Sequence, residues 1–168
     1  MKIFISGNPK SGKTTLVKKI IQEFGKENFF GFYTEEIIEN KERNGFKIVT
    51  TFEKEYLLSK KDIKTDYRFG KYFIIKENLD KVSKMILEKL DDNKEKIIVI
   101  DEIGPMEFFS ETFIELTKKV IEGNFKVLGV VHRKFLNIVP TYIWLEKGYW
   151  FETYKLIKNK IKDILWQK

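Results

Sequence analysis

The run Gly7-Asn8-Pro9-Lys10-Ser11-Gly12-Lys13-Thr14-Thr15 constrains this chain more than any other stretch. It spells G-x-x-x-x-G-K-[ST], and its flanks suit the pattern. Ile3-Phe4-Ile5 before it reads as a short buried strand. Leu16, Ile20, Ile21 and Phe24 after it recur at helical spacing, with lysines between them. Strand, glycine loop and helix in that order make a phosphate-binding loop. Gly7 and Gly12 allow backbone angles closed to other residues, so the loop can curl with its N–H groups inward. Those donors and the positive helix end near Lys13 form a cradle for a polyanion. The nucleotide-binding residues are thus Gly7, Asn8, Pro9, Lys10, Ser11, Gly12, Lys13, Thr14 and Thr15. Lys13 reaches the β- and γ-phosphates, the Thr14 hydroxyl ligates Mg²⁺, and Thr15 lies near the α-phosphate.

A second constellation stands far along the chain. Lys96-Ile97-Ile98-Val99-Ile100-Asp101-Glu102 is a nearly continuous aliphatic run ending in two acids, followed by the break Ile103-Gly104-Pro105. Such a run reads as a central parallel strand covered on both faces. Asp101 at its end is the candidate metal residue, holding Mg²⁺ together with Thr14, and Glu102 the candidate that polarises an attacking water. Phosphoryl transfer also draws on a cation facing the γ-phosphate. Arg133, just after the buried run Phe125 to Val131, is the first choice, because ligands of open α/β sheets bind at the carboxyl ends of the strands. The catalytic set is therefore Lys13, Glu102 and Arg133, with Arg43 and Arg68 as alternatives to the last. His132 reads either as a proton carrier or as a packed strand-end residue. Phe29, Phe30, Phe32, Phe46, Phe52 and Tyr72 supply core, and among them any base-stacking platform.

Between these landmarks, Phe29 to Thr34 reads as a second strand. A polar turn from Asn40 to Gly45 and a returning strand from Phe46 to Phe52 complete a hairpin. Residues 53–70 are lysine-rich and read as irregular, and Lys71 to Ile75 as a short β-like run. Asn78 is the expected cap of a helix from Leu79 to Leu90, and Ser110 of one ending near Glu122. Tyr142–Leu145 and Tyr149–Phe151 read as short strands, and Tyr154–Trp166 as a final helix. Buried strands alternating with helices predict an α/β three-layer sandwich, a mainly parallel central sheet with an added antiparallel hairpin. A length of 168 residues suits one domain spanning 1–168.

The absence of cysteine excludes disulfides and thiol catalysis, and no apolar stretch is long enough to span a bilayer. With no targeting segment before the first strand, the cytoplasm is the expected location and no membrane partner is expected. The net charge of +7 admits a nucleic-acid partner. Its lysines are scattered among glutamates, however, which favours a solvated surface of the kind found in heat-adapted proteins.

With these residues laid out, the chain resembles the small P-loop nucleoside-triphosphatases first characterised from thermophiles, relatives of the human cancer-related nucleoside-triphosphatase. Four blocks carry the resemblance: Gly7 to Leu16, Gly31 to Glu36 leading into Arg43-Asn44-Gly45-Phe46, Val99 to Glu107, and Val127 to Lys134. The run D-E-I-G-x-M-E and the ending V-H-R-K are the most specific. The resemblance implies a RecA-like core. It also implies Mg²⁺-dependent hydrolysis of ATP, GTP and other nucleoside triphosphates to diphosphate and phosphate, with broad base selectivity. Two positions depart from the family pattern. Lys10 stands where a second loop glycine is expected, and Thr153-Tyr154-Lys155-Leu156 stands where an Asn-Arg-Asp-like block is expected, so a base contact or lid from that region does not carry over.

The leading reading is a monomeric Mg²⁺-dependent nucleoside-triphosphatase. A kinase passing the γ-phosphate to a nucleotide, an RNA end or another hydroxyl would share every phosphate-binding residue, with residues 53–70 as acceptor site or lid. A nucleotide-gated RNA-binding module is the third reading, and predicts binding that falls steeply with salt.

Overall fold

The computed structural model describes residues 1–166. Its nine described strands form one sheet in the order β5-β6-β4-β3-β2-β7-β8-β1-β9. The strands are β1 (Lys2–Gly7), β2 (Phe29–Glu39), β3 (Glu42–Thr50), β4 (Glu55–Lys60), β5 (Tyr67–Phe69), β6 (Tyr72–Ile74), β7 (Ile97–Ile103), β8 (Lys126–Val131) and β9 (Ile143–Leu145). From β2 to β9 the neighbours run parallel. The others, β3, β4, β6 and β5, extend the sheet antiparallel beyond β2. The glycine loop leaves β1 and the acid pair ends β7, so a single strand, β8, separates the two halves of the site.

Helices cover both faces. On one, α2 (Lys76–Lys89) and α3 (Glu111–Glu122) contribute Leu79, Val82, Ile86, Phe113, Leu116 and Val120 to a core that includes Ile98 and Ile100. On the other, α1 (Lys13–Phe24) and α4 (Trp150–Trp166) contribute Leu16, Val17, Ile20, Tyr154, Ile157 and Ile161 to a core that includes Ile97 and Val99. Because side chains alternate along a strand, the unbroken aliphatic run of β7 supplies both cores at once. At about 25 cal/mol per Å2 of apolar surface buried on each face, β7 is firmly held, and it delivers Asp101 to a fixed place.

Four local expectations change in the structure. The hairpin turns at Asn40-Lys41, both with positive φ, and not across Asn40 to Gly45. Two successive left-handed residues match the twist of the flanking strands. Asn44 is the extra residue of a bulge, since Ile37 faces Gly45 while Ile38 faces Arg43. Residues 53–70 are not irregular: they hold β4 and β5. Of β4 only Leu58 and Ser59 are buried, and edge strand β5 is largely exposed, so lysines hid the pattern. Asn78 does not cap α2. The helix starts at Lys76, and the Asn78 amide instead donates to Leu57 O at 2.8 Å, tying α2 to β4. Tyr149–Phe151 is not a strand but the entry to α4, where Trp150 and Tyr154, four residues apart, stack with ring planes 9° apart. Ser110 does cap α3, its hydroxyl accepting from Phe113 N at 3.0 Å.

Candidate functional site

The glycine loop takes the shape its sequence requires. Gly12 sits at φ 92 at the head of α1, with no side chain capping the first turn. The N–H groups of that turn therefore point into the loop, which is the usual anion site at a helix N-terminus. Lys10, standing where the related pattern has glycine, has φ 63. It holds the left-handed conformation that glycine would adopt freely, at a cost on the order of 1 kcal/mol. The Lys13 ammonium donates to Gly7 O at 3.2 Å and Asn8 O at 3.0 Å, bonds that a polyanion would replace. A residue unassigned from sequence locks the loop from outside: the Trp150 indole N–H donates to Gly12 O at 3.1 Å.

Opposite the loop, Asp101 is 1% exposed, and neither of its carboxylate oxygens has a hydrogen-bond partner. Burial, and then the Glu102 charge, push its pKa up to about 7; the nearby Thr14 hydroxyl and the Lys13 charge pull the other way. Burial also raises Glu102 against the opposing pull of Lys13. A third acid, Glu107, is 5% exposed in the short helical turn Glu107–Phe109. Burial, the Glu102 charge and more weakly Asp101 hold it well above the usual carboxylate range, against backbone N–H groups of Glu107 and Gly104. A Cβ on Gly104 would lie 2.8 Å from Glu102 Oε1 and 3.1 Å from Glu107 Oε2, so both carboxylates crowd one point that only glycine leaves open. Glu107 was missed because an acid six residues beyond Asp101 lies outside the strand. The spacing D-E-I-G-x-M-E was the available signal.

Lys13, Thr14, Asp101, Glu102, Glu107 and Arg133 all line one cavity of about 720 Å3. The Arg133 guanidinium donates to Asn8 Oδ1 at 3.4 Å, over the loop. His132 lines the same cavity, held below its ordinary pKa by burial and by the charges of Arg133, Lys134 and Lys13, so it is neutral near pH 7. Its Nδ1 accepts from Lys134 N at 3.2 Å, a strand-end role. Arg43 lines the cavity, whereas Arg68 turns back on Gly70 O and stacks over Phe73. Of the candidate aromatics, Phe46 and Tyr72 reach the cavity, and Phe29, Phe30, Phe32 and Phe52 do not.

The model of the family described as NTPase matches residues 2–168. The chain belongs to that family. It is 38% identical over 133 residues to the nucleoside-triphosphatase THEP1 of Thermotoga maritima, covering 79% of this chain and 75% of the relative. The crystal structure of THEP1 from the hyperthermophile Aquifex aeolicus superposes with a TM-score of 0.80 at 31% identity, covering 99% of this chain and all of that one. A human cancer-related nucleoside triphosphatase, at 23% identity, shares the fold with a TM-score of 0.78 over 96% of this chain and 97% of its own. The mixed sheet with β8 between the loop strand and the acid strand is therefore the P-loop NTPase architecture of this family. Among the described residues, no helix is long and apolar enough to cross a membrane.

The buried acids leave a mark on stability. Asp101 titrates near 7 when folded and near 3.8 as a free side chain, so between those values the folded protein holds a proton that the unfolded chain has released. Stability from this group is full below the lower value and is lost as pH rises through the upper one. Asp101→Asn should therefore raise the melting temperature of the ligand-free, chelator-treated protein at about pH 8, by a few kcal/mol equivalent, and little at about pH 4. Thermal unfolding at both pH values checks this; an unchanged or lowered melting temperature at the higher pH would refute it.

Proposed function

We propose that the chain is a Mg²⁺-dependent nucleoside-triphosphatase that hydrolyses ATP, GTP and other nucleoside triphosphates to diphosphate and phosphate. The observation that carries this reading is the convergence of Lys13, Thr14, Asp101 and Glu102 on one cavity at the mouth of an uncapped helix. The names of the related proteins support the same activity.

The residues suit Mg²⁺. Among the described residues no group of three or more His, Cys, Asp or Glu forms a metal cage. A triphosphate-bound Mg²⁺ needs none, because it keeps waters and takes one or two protein oxygens plus phosphate. The Thr14 hydroxyl and the two orphaned oxygens of Asp101 are those donors, and orphaned buried carboxylate oxygens call for a cation. When bound, the ion would neutralise charge on the β- and γ-phosphate oxygens.

The protein supplies the rest. Lys13 exchanges its loop carbonyls for phosphate oxygens. Glu102, whose raised pKa keeps it basic, orients a water on the γ-phosphorus and takes its proton. Arg133, loosely held by Asn8, is free to meet charge developing on the γ-phosphate. Among the described residues, none of β9 or α4 lines the cavity to enclose a base, which supports the broad base selectivity proposed.

Phosphate release from ATP, GTP, CTP and UTP, each with Mg²⁺ and with excess EDTA, tests the proposal. All four should turn over with Mg²⁺, within about tenfold of one another, and chelation should abolish release until Mg²⁺ is restored. Equal release in EDTA would end the metal-dependent reading, and a single accepted base would end the broad one.

A further inference from the structure

Glu107 is a buried acid on the cavity wall that hydrolysis as proposed above does not use. Its surroundings begin with an irregularity in β7. Asp101 faces Val130 of β8 and Ile103 faces Val131, so Glu102 is the extra residue of a bulge and has no partner across the ladder. A bulge re-aims a side chain, and it leaves the extra residue to be placed by the chain that follows. Here that chain is a closed turn. Ile103 O accepts from His132 N at 2.9 Å, Gly104 O from Phe108 N at 3.2 Å, and Glu107 O from Ser110 N at 3.1 Å.

The Glu107 side chain reaches back into that turn. The backbone N–H groups of Gly104 and of Glu107 itself face its carboxylate, and its Oε2 lies 3.1 Å from the point where a Gly104 side chain would begin. Glu102 Oε1 lies 2.8 Å from the same point, and Glu102 Cγ 3.1 Å. The two side chains therefore share the space that Gly104 leaves open, Glu107 from the buried side and Glu102 from the half-buried side. A carboxylate among backbone donors is held in place, and it repels a second one brought up to it. Glu102 is thus kept from folding back onto the turn, while the Lys13 charge attracts it toward the phosphate loop. We infer that Glu107 is a positioning residue for the proposed hydrolysis: it braces the turn after β7 and so keeps the Glu102 carboxylate on the phosphate side of the cavity, facing the attacking water. This role rests on the one given to Glu102 above and adds a residue that acts only through it.

The geometry of attack is exacting, since a displacement of about 1 Å can cost on the order of a hundredfold in rate. Removing the brace should show in kcat far more than in KM. The phosphate cradle runs from β1 into the head of α1, and the turn after β7 contributes nothing to its backbone.

The test is a double-mutant cycle on the full chain, read as phosphate release from ATP with Mg²⁺. Glu107→Ala should lower kcat by about thirtyfold with KM within about threefold of the parent. Glu107→Gln, which keeps an acceptor oxygen in the same place, should recover most of that loss. In a Glu102→Gln background, Glu107→Ala should cost less than about twofold more under single-turnover conditions, because the group it positions is already disabled. An equal loss in both backgrounds, a loss that falls on KM, or a Gln variant as slow as the Ala one would each overturn the proposal. Gly104→Ala, whose added carbon enters the shared space, gives a second route: kcat should fall while KM holds, and an unchanged kcat would overturn the proposal too. Absence of release by the parent would overturn the hydrolase reading instead. Crystal structures of the two Glu107 variants then decide the brace without turnover. The Glu102 carboxylate should leave the phosphate side of the cavity in Glu107→Ala and keep it in Glu107→Gln; an unmoved carboxylate in the Ala variant overturns the positioning role.

Discussion

Glu102→Gln is expected to cut phosphate release by about a hundredfold or more while nucleotide affinity stays the same or tightens. The substitution keeps shape and removes the ability to take a proton. Glu102 is half-buried beside Asp101 and Glu107, and both neighbours are raised in pKa partly by its charge. Neutralising it relieves that repulsion, and a triphosphate adds further negative charge to the same cavity. Turnover and binding should thus move in different directions, which a misfolded variant would not show. Single-turnover phosphate release and fluorescent-nucleotide titration separate the two. Turnover close to that of the parent would remove Glu102 from the reaction.

Lys13→Ala is expected to damage both steps. Among the described residues, the ammonium is the one side-chain cation whose bonds lie entirely within the loop, to Gly7 O and Asn8 O. Without it the cradle keeps its N–H groups and helix end but loses a full charge at the β- and γ-phosphates. Loss of a single preorganised donor of this kind costs roughly 10²–10³ in turnover. Nucleotide affinity should fall with it, because in the proposed mechanism Lys13 contacts phosphate before and during reaction. The variant should fold normally, since those loop carbonyls can be satisfied by water. The parallel titration and a melting curve check each part, and unaltered affinity would place the phosphates elsewhere.

Much of the site could be read in the chain because its two halves are local. Gly7 to Thr15 is a continuous run whose backbone shapes the proposed phosphate cradle, and the aliphatic run into Asp101-Glu102 announces both a central strand and the acids at its end. Reading became harder where function or fold depends on partners far apart in sequence. Asn78 looked like a cap because asparagine often is one, yet Leu57 O, 21 positions away, claimed its amide. Tyr149 to Phe151 looked like β-structure because three aromatic residues, a type favoured in strands, stand together there. The stacking of Trp150 on Tyr154 and its bond to Gly12 O favour a helix instead. In residues 53–70, exposed edge positions and lysines left too few apolar residues to show a period of two.

The sequence by itself determined the curled glycine loop at the head of a helix, the buried strand that ends in two acids, and the layered α/β class, since each follows from backbone freedom or periodicity within a few residues. Only the tertiary structure decided that Glu107 joins the acid pair, that Arg43 and not Arg68 reaches the cavity, and that Phe46 and Tyr72 wall its far end. Those groups come from separate strands and turns, and no local pattern records which of them the packing of the sheet will bring within reach of one another.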